Sequence, residues 1–270
     1  MSWITRRVSR LARKVVGSGR LVARGERIVA GVSGGVDSLC MIHLLNAINQ
    51  GDGHCWELQA VHVDPGFDGW STARVTRACA AIGVPCTVLR TDVHGAAKQS
   101  GHDSCYACAR ERRKALFAFC DKQGSARLAL AHILDDVNET FLMNLLFTSS
   151  ARTILPVQPL FSGRLAIVRP LYYVDKGLVR RYARAVGIRA IRNRCPFGRS
   201  SSRSSVRRFL NRLYADDPRI RTNLFAGLHN LKVEYLPKPR HGKPRSVVER
   251  HRLPAVVSTP FGNSAPGGGS

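Results

Sequence analysis

Ser33-Gly34-Gly35-Val36-Asp37-Ser38 sits between a short apolar run and a stretch with helical spacing. Two adjacent glycines let the backbone turn tightly and aim N–H groups outward. A helix starting at that turn adds the positive end of its dipole. With the hydroxyls of Ser33 and Ser38, the segment has the makings of a phosphate loop. A carboxylate is wrong for bare phosphate, but Asp37 suits phosphate that arrives with Mg2+. The lysine and spacing of a Walker loop are absent.

A second group, His132, Asp135, Asp136 and Glu139, also falls where a strand pattern gives way to a helix pattern. Acids in a first helical turn are good caps, which accounts for Asp136 or Glu139. Asp135 would lie near Asp37 if the two strands are neighbours, and two carboxylates facing one triphosphate can share a Mg2+.

The third group is sulfur. Cys105 and Cys108 open a helical stretch that carries Arg110, Arg112 and Arg113, and Cys195 stands apart in a loop. A helix N-terminus and nearby cations lower thiol pKa values and favour metal ligation; a redox or incidental pair is the plainer alternative. There is no second such pair, which argues against a four-cysteine zinc site. Cys40, Cys55, Cys79, Cys86 and Cys120 lie in or beside apolar elements or at strand edges, as inert thiols do. The N-terminus lacks a secretory core, so reduced thiols in a cytoplasmic setting are expected.

The elements that must position these groups follow from periodicity. Residues 27–32, 57–63, 85–89, 127–132 and 165–168 read as strands, and 37–49, 71–82, 106–121 and 136–147 as helices. This alternation predicts an α/β fold: a doubly wound parallel sheet of five strands with a basic helical C-terminal region. Ligands in such folds sit at the carboxyl ends of the strands. Helices are further predicted at 175–186, 206–214 and 219–231, and a disordered tail from Pro237 on. The expected organisation is therefore a basic helix (1–24), a nucleotide domain (25–170), a basic helical region (171–236) and the tail.

The chain has 270 residues and a formal net charge of +24, with 44% hydrophobic residues. That composition excludes wholesale disorder, and no apolar run approaches a membrane span, so no membrane partner is expected. The charge excess points to a polyanion, most plausibly nucleic acid. It is uneven: residues 180–252 hold twenty Lys and Arg against four acids. Arg180, Arg181, Arg184, Arg189, Arg192 and Arg194 precede Cys195, and Arg199, Arg203, Arg207, Arg208 and Arg212 follow it. Of these, Arg194, Arg199, Arg203, Arg207 and Arg208 are the foremost RNA-contact candidates. Near the start, Ile4, Val8, Leu11 and Val15 share a helical face amid arginines. This suits a helix touching RNA, and it is also what an organellar transit peptide looks like.

The segment Ser33–Ser38 resembles the pyrophosphate loop of the N-type ATP pyrophosphatases, the adenine nucleotide alpha-hydrolase superfamily. Together with the acidic cluster, Cys105, Cys108 and Cys195, it is similar to the tRNA 2-thiolation enzymes of the 2-thiocytidine and 2-thiouridine branches. The resemblance covers about residues 24–231 and does not choose the branch. It implies ATP and pyrophosphate contacts from Ser33, Gly34, Gly35, Asp37, Ser38, Val63 and His132. It implies Mg2+ at Asp37 and Asp135, and an α-phosphate contact from Arg112. It further implies a 4Fe-4S cluster on Cys105, Cys108 and Cys195, with one iron left open for sulfide. The implied partners are tRNA and a sulfur donor, a cysteine desulfurase or a sulfur-carrier protein, and a homodimer is compatible. Alternatives are a tRNA lysidine-type ligase, which needs no cysteines, sulfur transfer by persulfide, and an RNA-binding protein with a remnant nucleotide fold.

Overall fold

A computed structural model describes residues 2–17, 22–67, 70–91, 104–191 and 202–235, with only the backbone for 104–106 and 233. The helices are α1 (Trp3–Val16), α2 (Val36–Asp52), α3 (Thr72–Ala81), α4 (Ser104–Lys122), α5 (Leu134–Thr148), α6 (Lys176–Ala185), α7 (Ser202–Asp216) and α8 (Arg219–Gly227). The strands are β1 (Arg27–Gly31), β2 (Glu57–Asp64), β3 (Cys86–Arg90), β4 (Arg127–Ala129), β5 (Val157–Leu160) and β6 (Leu165–Val168).

The strands form one sheet in the order β3-β2-β1-β4-β6-β5. Five are parallel, as the βαβ alternation requires, and the order reverses between β1 and β4. Register pairs Ile28 with Arg127 and Ala30 with Ala129, so the segments after β1 and β4 emerge side by side. The sheet has a sixth strand where five were predicted. β5 is antiparallel to β6, and its alternation is broken by Pro159. Proline cannot donate to a ladder and is tolerated here because β5 is an edge strand.

Side chains alternate across the sheet with the period of two that strands impose. Ile28, Ala30, Leu58 and Ala60 face the larger core with α1, α2, α3 and α6. Val29, Val61, Val63, Leu128 and Ile167 face the other core, where Leu116 and Cys120 of α4 cover them. α1 belongs to this fold: Val8, Ala12, Val15 and Val16 are almost completely buried in the larger core. Each such valine contributes roughly 1.5 kcal/mol or more by leaving water. Packing also continues past Pro170 without a break, since Tyr172, Val174, Leu178 and Tyr182 join the same core. The residues from Pro237 on, and the tail predicted there, lie outside the described residues.

Candidate active site

The loop after β1 is fixed from several sides. Val32 N–H donates to the Val61 carbonyl at 2.8 Å, extending the sheet by one bond. Ser38 turns back from the first turn of α2: its hydroxyl donates to the Gly35 carbonyl at 2.9 Å and accepts the Ser33 N–H at 3.2 Å. Gly34 has φ +83°, and a Cβ there would stand 3.0 Å from Val75 Cγ2. Both the left-handed backbone and the crowding select glycine. The Gly34 carbonyl accepts the Ile191 N–H at 2.9 Å, so the chain passes against this loop at Ile191. Nothing in the local pattern around Ile191 announces that contact.

The three acids after β4 have three different duties. Asp136 caps α5 by accepting the Ile133 N–H at 3.0 Å. Glu139, 4% exposed, accepts two bonds from Arg207, at 2.6 and 2.8 Å. Asp135 faces the loop. Its Oδ2 accepts the backbone N–H of Lys176 at 2.9 Å, and the Lys176 ammonium meets both oxygens of Asp37 at 2.7 Å. Lys176 thus couples the two carboxylates that sequence placed near each other, and it was not among the candidates. Arg221 Nε lies 3.2 Å from Asp135 Oδ1. Burial pushes the Asp135 carboxyl above the usual carboxylate range despite these donors, with Asp175 and Asp136 adding repulsion. The cost of that buried charge is the kind of strain a cation-binding carboxylate carries.

His132 accepts a hydrogen bond at Nδ1 from Arg169 Nε, at 3.3 Å. Its proton therefore resides on Nε2, which makes the ring a donor. Burial, with the cations Arg169, Arg203 and Arg113 nearby, pushes its pKa down to about 3, so the ring is neutral. Arg169 is itself 4% exposed and also donates to the Leu155 carbonyl and Gln158. Burial lowers its pKa to about 10.

On β2, Val63 is buried in the core under α4, and His62 links the loop to the cysteine helix. His62 Nδ1 donates to the Val32 carbonyl at 2.7 Å, and its Nε2 accepts the Trp70 indole N–H at 3.0 Å. Trp70 packs with Phe67 around Cys108, which is 3% exposed. Burial pushes the His62 pKa down, which keeps Nε2 free to accept. Cys105 and Cys108 stand three residues apart on α4. Arg112 Nη2 donates to Cys108 Sγ at 3.0 Å, while its buried Nε has no hydrogen-bond partner among the described residues. The Cys105 side chain, and all of Cys195, Arg194 and Arg199, lie outside the described residues.

Arg203 and Arg207, expected at an RNA backbone, have internal partners. Arg207 is bidentate to Glu139, and Arg203 Nη2 donates to Thr140 Oγ1 at 3.0 Å. They join α5 to α7 above a small core of Met143, Val206, Leu210 and Tyr214. Arg208 is exposed and donates to Ser205 Oγ on its own helix at 3.1 Å. Glu139 is already pushed up by burial, with Arg207 opposing that shift. Arg207→Ala therefore strands a buried carboxylate and is expected to cost about 2 kcal/mol, discounted because Arg207 is half exposed. The Glu139 pKa then rises further above its unfolded value. The folded state holds its proton longer, so the variant's stability falls as pH rises above about 4.5. Urea melts across pH 4–7 check this; Glu139→Gln in the same chain should flatten the dependence.

A family model, the PP-loop domain, matches residues 4–213. A tRNA-cytidine(32) 2-sulfurtransferase of Syntrophotalea carbinolica is 33% identical over 236 residues, which cover 86% of this chain and 91% of that protein. The enzyme of the same name from Pelobacter propionicus is 29% identical, over 86% of this chain and 88% of that protein. Among solved structures, U34-tRNA thiolase NcsA from Methanococcus maripaludis, with its 4Fe-4S cluster, aligns with a TM-score of 0.67. The alignment covers 87% of this chain and 80% of that one at 22% identity, a likeness of fold. The chain belongs to the PP-loop family and is a relative of the tRNA-cytidine(32) 2-sulfurtransferases.

Proposed function

We propose that the protein is an ATP-dependent tRNA 2-sulfurtransferase that exchanges the 2-carbonyl oxygen of a cytidine for sulfur. The observation that carries this is a convergence at the carboxyl ends of β1, β2 and β4. A phosphate loop, two carboxylates coupled by Lys176, and Cys108 tied to the loop through His62 and Trp70 meet there.

ATP binds with its β- and γ-phosphates on Ser33, Gly34, Gly35 and Ser38. Asp37 and Asp135 are hard oxygen donors and fit Mg2+, which is held by one or two carboxylates plus substrate phosphates. Lys176 then exchanges Asp37 for phosphate oxygen. The carbonyl oxygen of the base attacks the α-phosphorus, and the bond to the bridging oxygen breaks. Pyrophosphate leaves with the electron pair into a loop built to hold it. Arg112, through its unpartnered Nε, and His132, through Nε2–H, donate to the phosphates. Hydrosulfide adds to the activated carbon, AMP departs with the former carbonyl oxygen and the C–O bond electrons, and the sulfur's proton passes to solvent.

The cysteines fit a 4Fe-4S cluster. Cys108 is buried beside a guanidinium, and Cys105 precedes it by three residues on α4. Cys195 follows Ile191 by four residues, a tether of at most about 14 Å. Cys105, Cys108 and Cys195 would hold such a cluster by their thiolates, and when bound it would supply sulfide for the exchange. tRNA is the substrate, a cysteine desulfurase or sulfur-carrier protein the donor, and the cytoplasm the setting. Among the described residues no helix is long and apolar enough to cross a membrane.

The test is anaerobic purification, iron and sulfide assay with EPR, then incubation with ATP, Mg2+, sulfide and a tRNA transcript. About four irons per chain and 2-thiocytidine by nucleoside mass spectrometry are expected. Lysine joined to cytidine would instead identify a ligase. Active, iron-free protein would identify persulfide transfer.

A further inference from the structure

Two helices far apart in sequence make a single positive face. On α1, Trp3, Arg7, Arg10 and Lys14 are exposed and spaced i, i+4, i+7 and i+11, opposite the buried Val8, Ala12 and Val15. On α6, Arg180, Arg181 and Arg184 are exposed opposite the buried Val179, Tyr182 and Ala183. The helices run antiparallel. The Lys14 ammonium is 5.9 Å from the Tyr173 ring just before α6, and the Arg181 guanidinium is 6.0 Å from the Trp3 ring at the other end. Neither helix contains an acid, and among the described residues none of these six cations is in a salt bridge.

The face carries an exposed aromatic. Trp3 is 55% exposed, with the Arg7 guanidinium 5.1 Å from its ring centre on the same helix. An indole held by two guanidiniums is a platform on which an unpaired base can stack. The face is also continuous with the candidate active site. α6 begins at Lys176, which couples Asp37 to Asp135, and runs about 15 Å away from it.

A basic amphipathic helix also suits an anionic membrane. Lipid binding needs a free apolar side, however, and that side of α1 is buried in the protein core. Charge and an aromatic platform without an insertable apolar face favour nucleic acid. We propose that α1 and α6 together form a docking surface for the tRNA substrate. The phosphate backbone lies along Arg7, Arg10, Lys14, Arg181 and Arg184, and Trp3 stacks on an unpaired base. The surface rests on the tRNA reading above.

The experiment uses the full chain and an unmodified tRNA transcript, with fluorescence anisotropy at 50–200 mM KCl as about the useful range. The variants are R7Q/R10Q/K14Q, R181Q/R184Q and Trp3→Ala. Arg13 stays, because it pairs with Asp52. All changed side chains are exposed, so the melting temperature should hold. The triple variant should lower the slope of log K against log salt by up to about 3, at about 0.9 per phosphate contact. Trp3→Ala should weaken binding by about 10-fold with little change in slope. In turnover, KM for tRNA should rise while kcat holds. Wild-type affinity and slope in all three variants would overturn the surface alone. Loss of binding to phosphatidylglycerol vesicles with tRNA binding intact would overturn it in favour of a membrane. No tRNA binding by the wild type would overturn the underlying function as well.

Discussion

Asp135→Asn is expected to lower ATP-dependent pyrophosphate release on the order of 100- to 1,000-fold, the loss typical of removing one pre-aimed electrostatic group. It should do so without unfolding the protein. Asn retains the oxygen that accepts the Lys176 N–H, so the coupling of α5 to α6 survives. It removes a negative charge that burial already disfavours, and this offsets the lost attraction to Arg221. The sign is clear: Asp135 sits above its unfolded pKa, so its charged form costs stability at neutral pH. A melting temperature that is unchanged or raised, together with lost turnover, marks a residue held under strain for function. Asp136→Ala, which removes the acceptor that caps α5, should reverse the pattern and cost about 1 kcal/mol with most turnover kept. Pyrophosphate release at saturating tRNA, with differential scanning calorimetry of both variants, separates the two. If Asp135→Asn turns over normally, the carboxylate pair is not the metal site.

Cys108→Ser should leave pyrophosphate release within a few-fold of wild type while thiolated nucleoside falls by more than about 100-fold, beyond what a supporting ligand contact is worth. Iron content should fall with it. Serine keeps an acceptor for Arg112 but is a poor iron ligand at neutral pH. Cys120 is the matched control. It is as buried, on the same helix, and burial pushes its thiol up to about 12. It is an inert core sulfur, so Cys120→Ser should cost about 1–3 kcal/mol of stability and no iron. Thiolation surviving in Cys108→Ser would remove the cluster from the reaction and leave the nucleotide chemistry in place.

The glycine turn after β1, the acids that open α5 and the alternating strands were legible because each is local. A glycine pair, a capping acid or a period-two apolar run acts within a few residues, where backbone sterics and helix dipoles operate. The adjacency of β1 and β4 was legible too, since right-handed crossovers leave few orders for such a sheet. β5 was not, because Pro159 spoils its pattern and only the edge position makes that harmless. The first helix showed its amphipathic face in the sequence, but only packing revealed that the apolar side belongs to the core.

What sequence by itself determined is the inventory: which groups can hold phosphate, metal and sulfur, and the sheet that carries them. Tertiary structure decided which acid faces the loop, which caps a helix and which pairs with Arg207. It alone found Lys176 on Asp37, across 139 residues, as well as Arg169 on His132 and the His62–Trp70 link to Cys108. The physical reason is range. Propensity and capping are set by neighbours along the chain, whereas a side chain's partner is set by the packing of helices on both faces of a sheet, and that depends on every element at once.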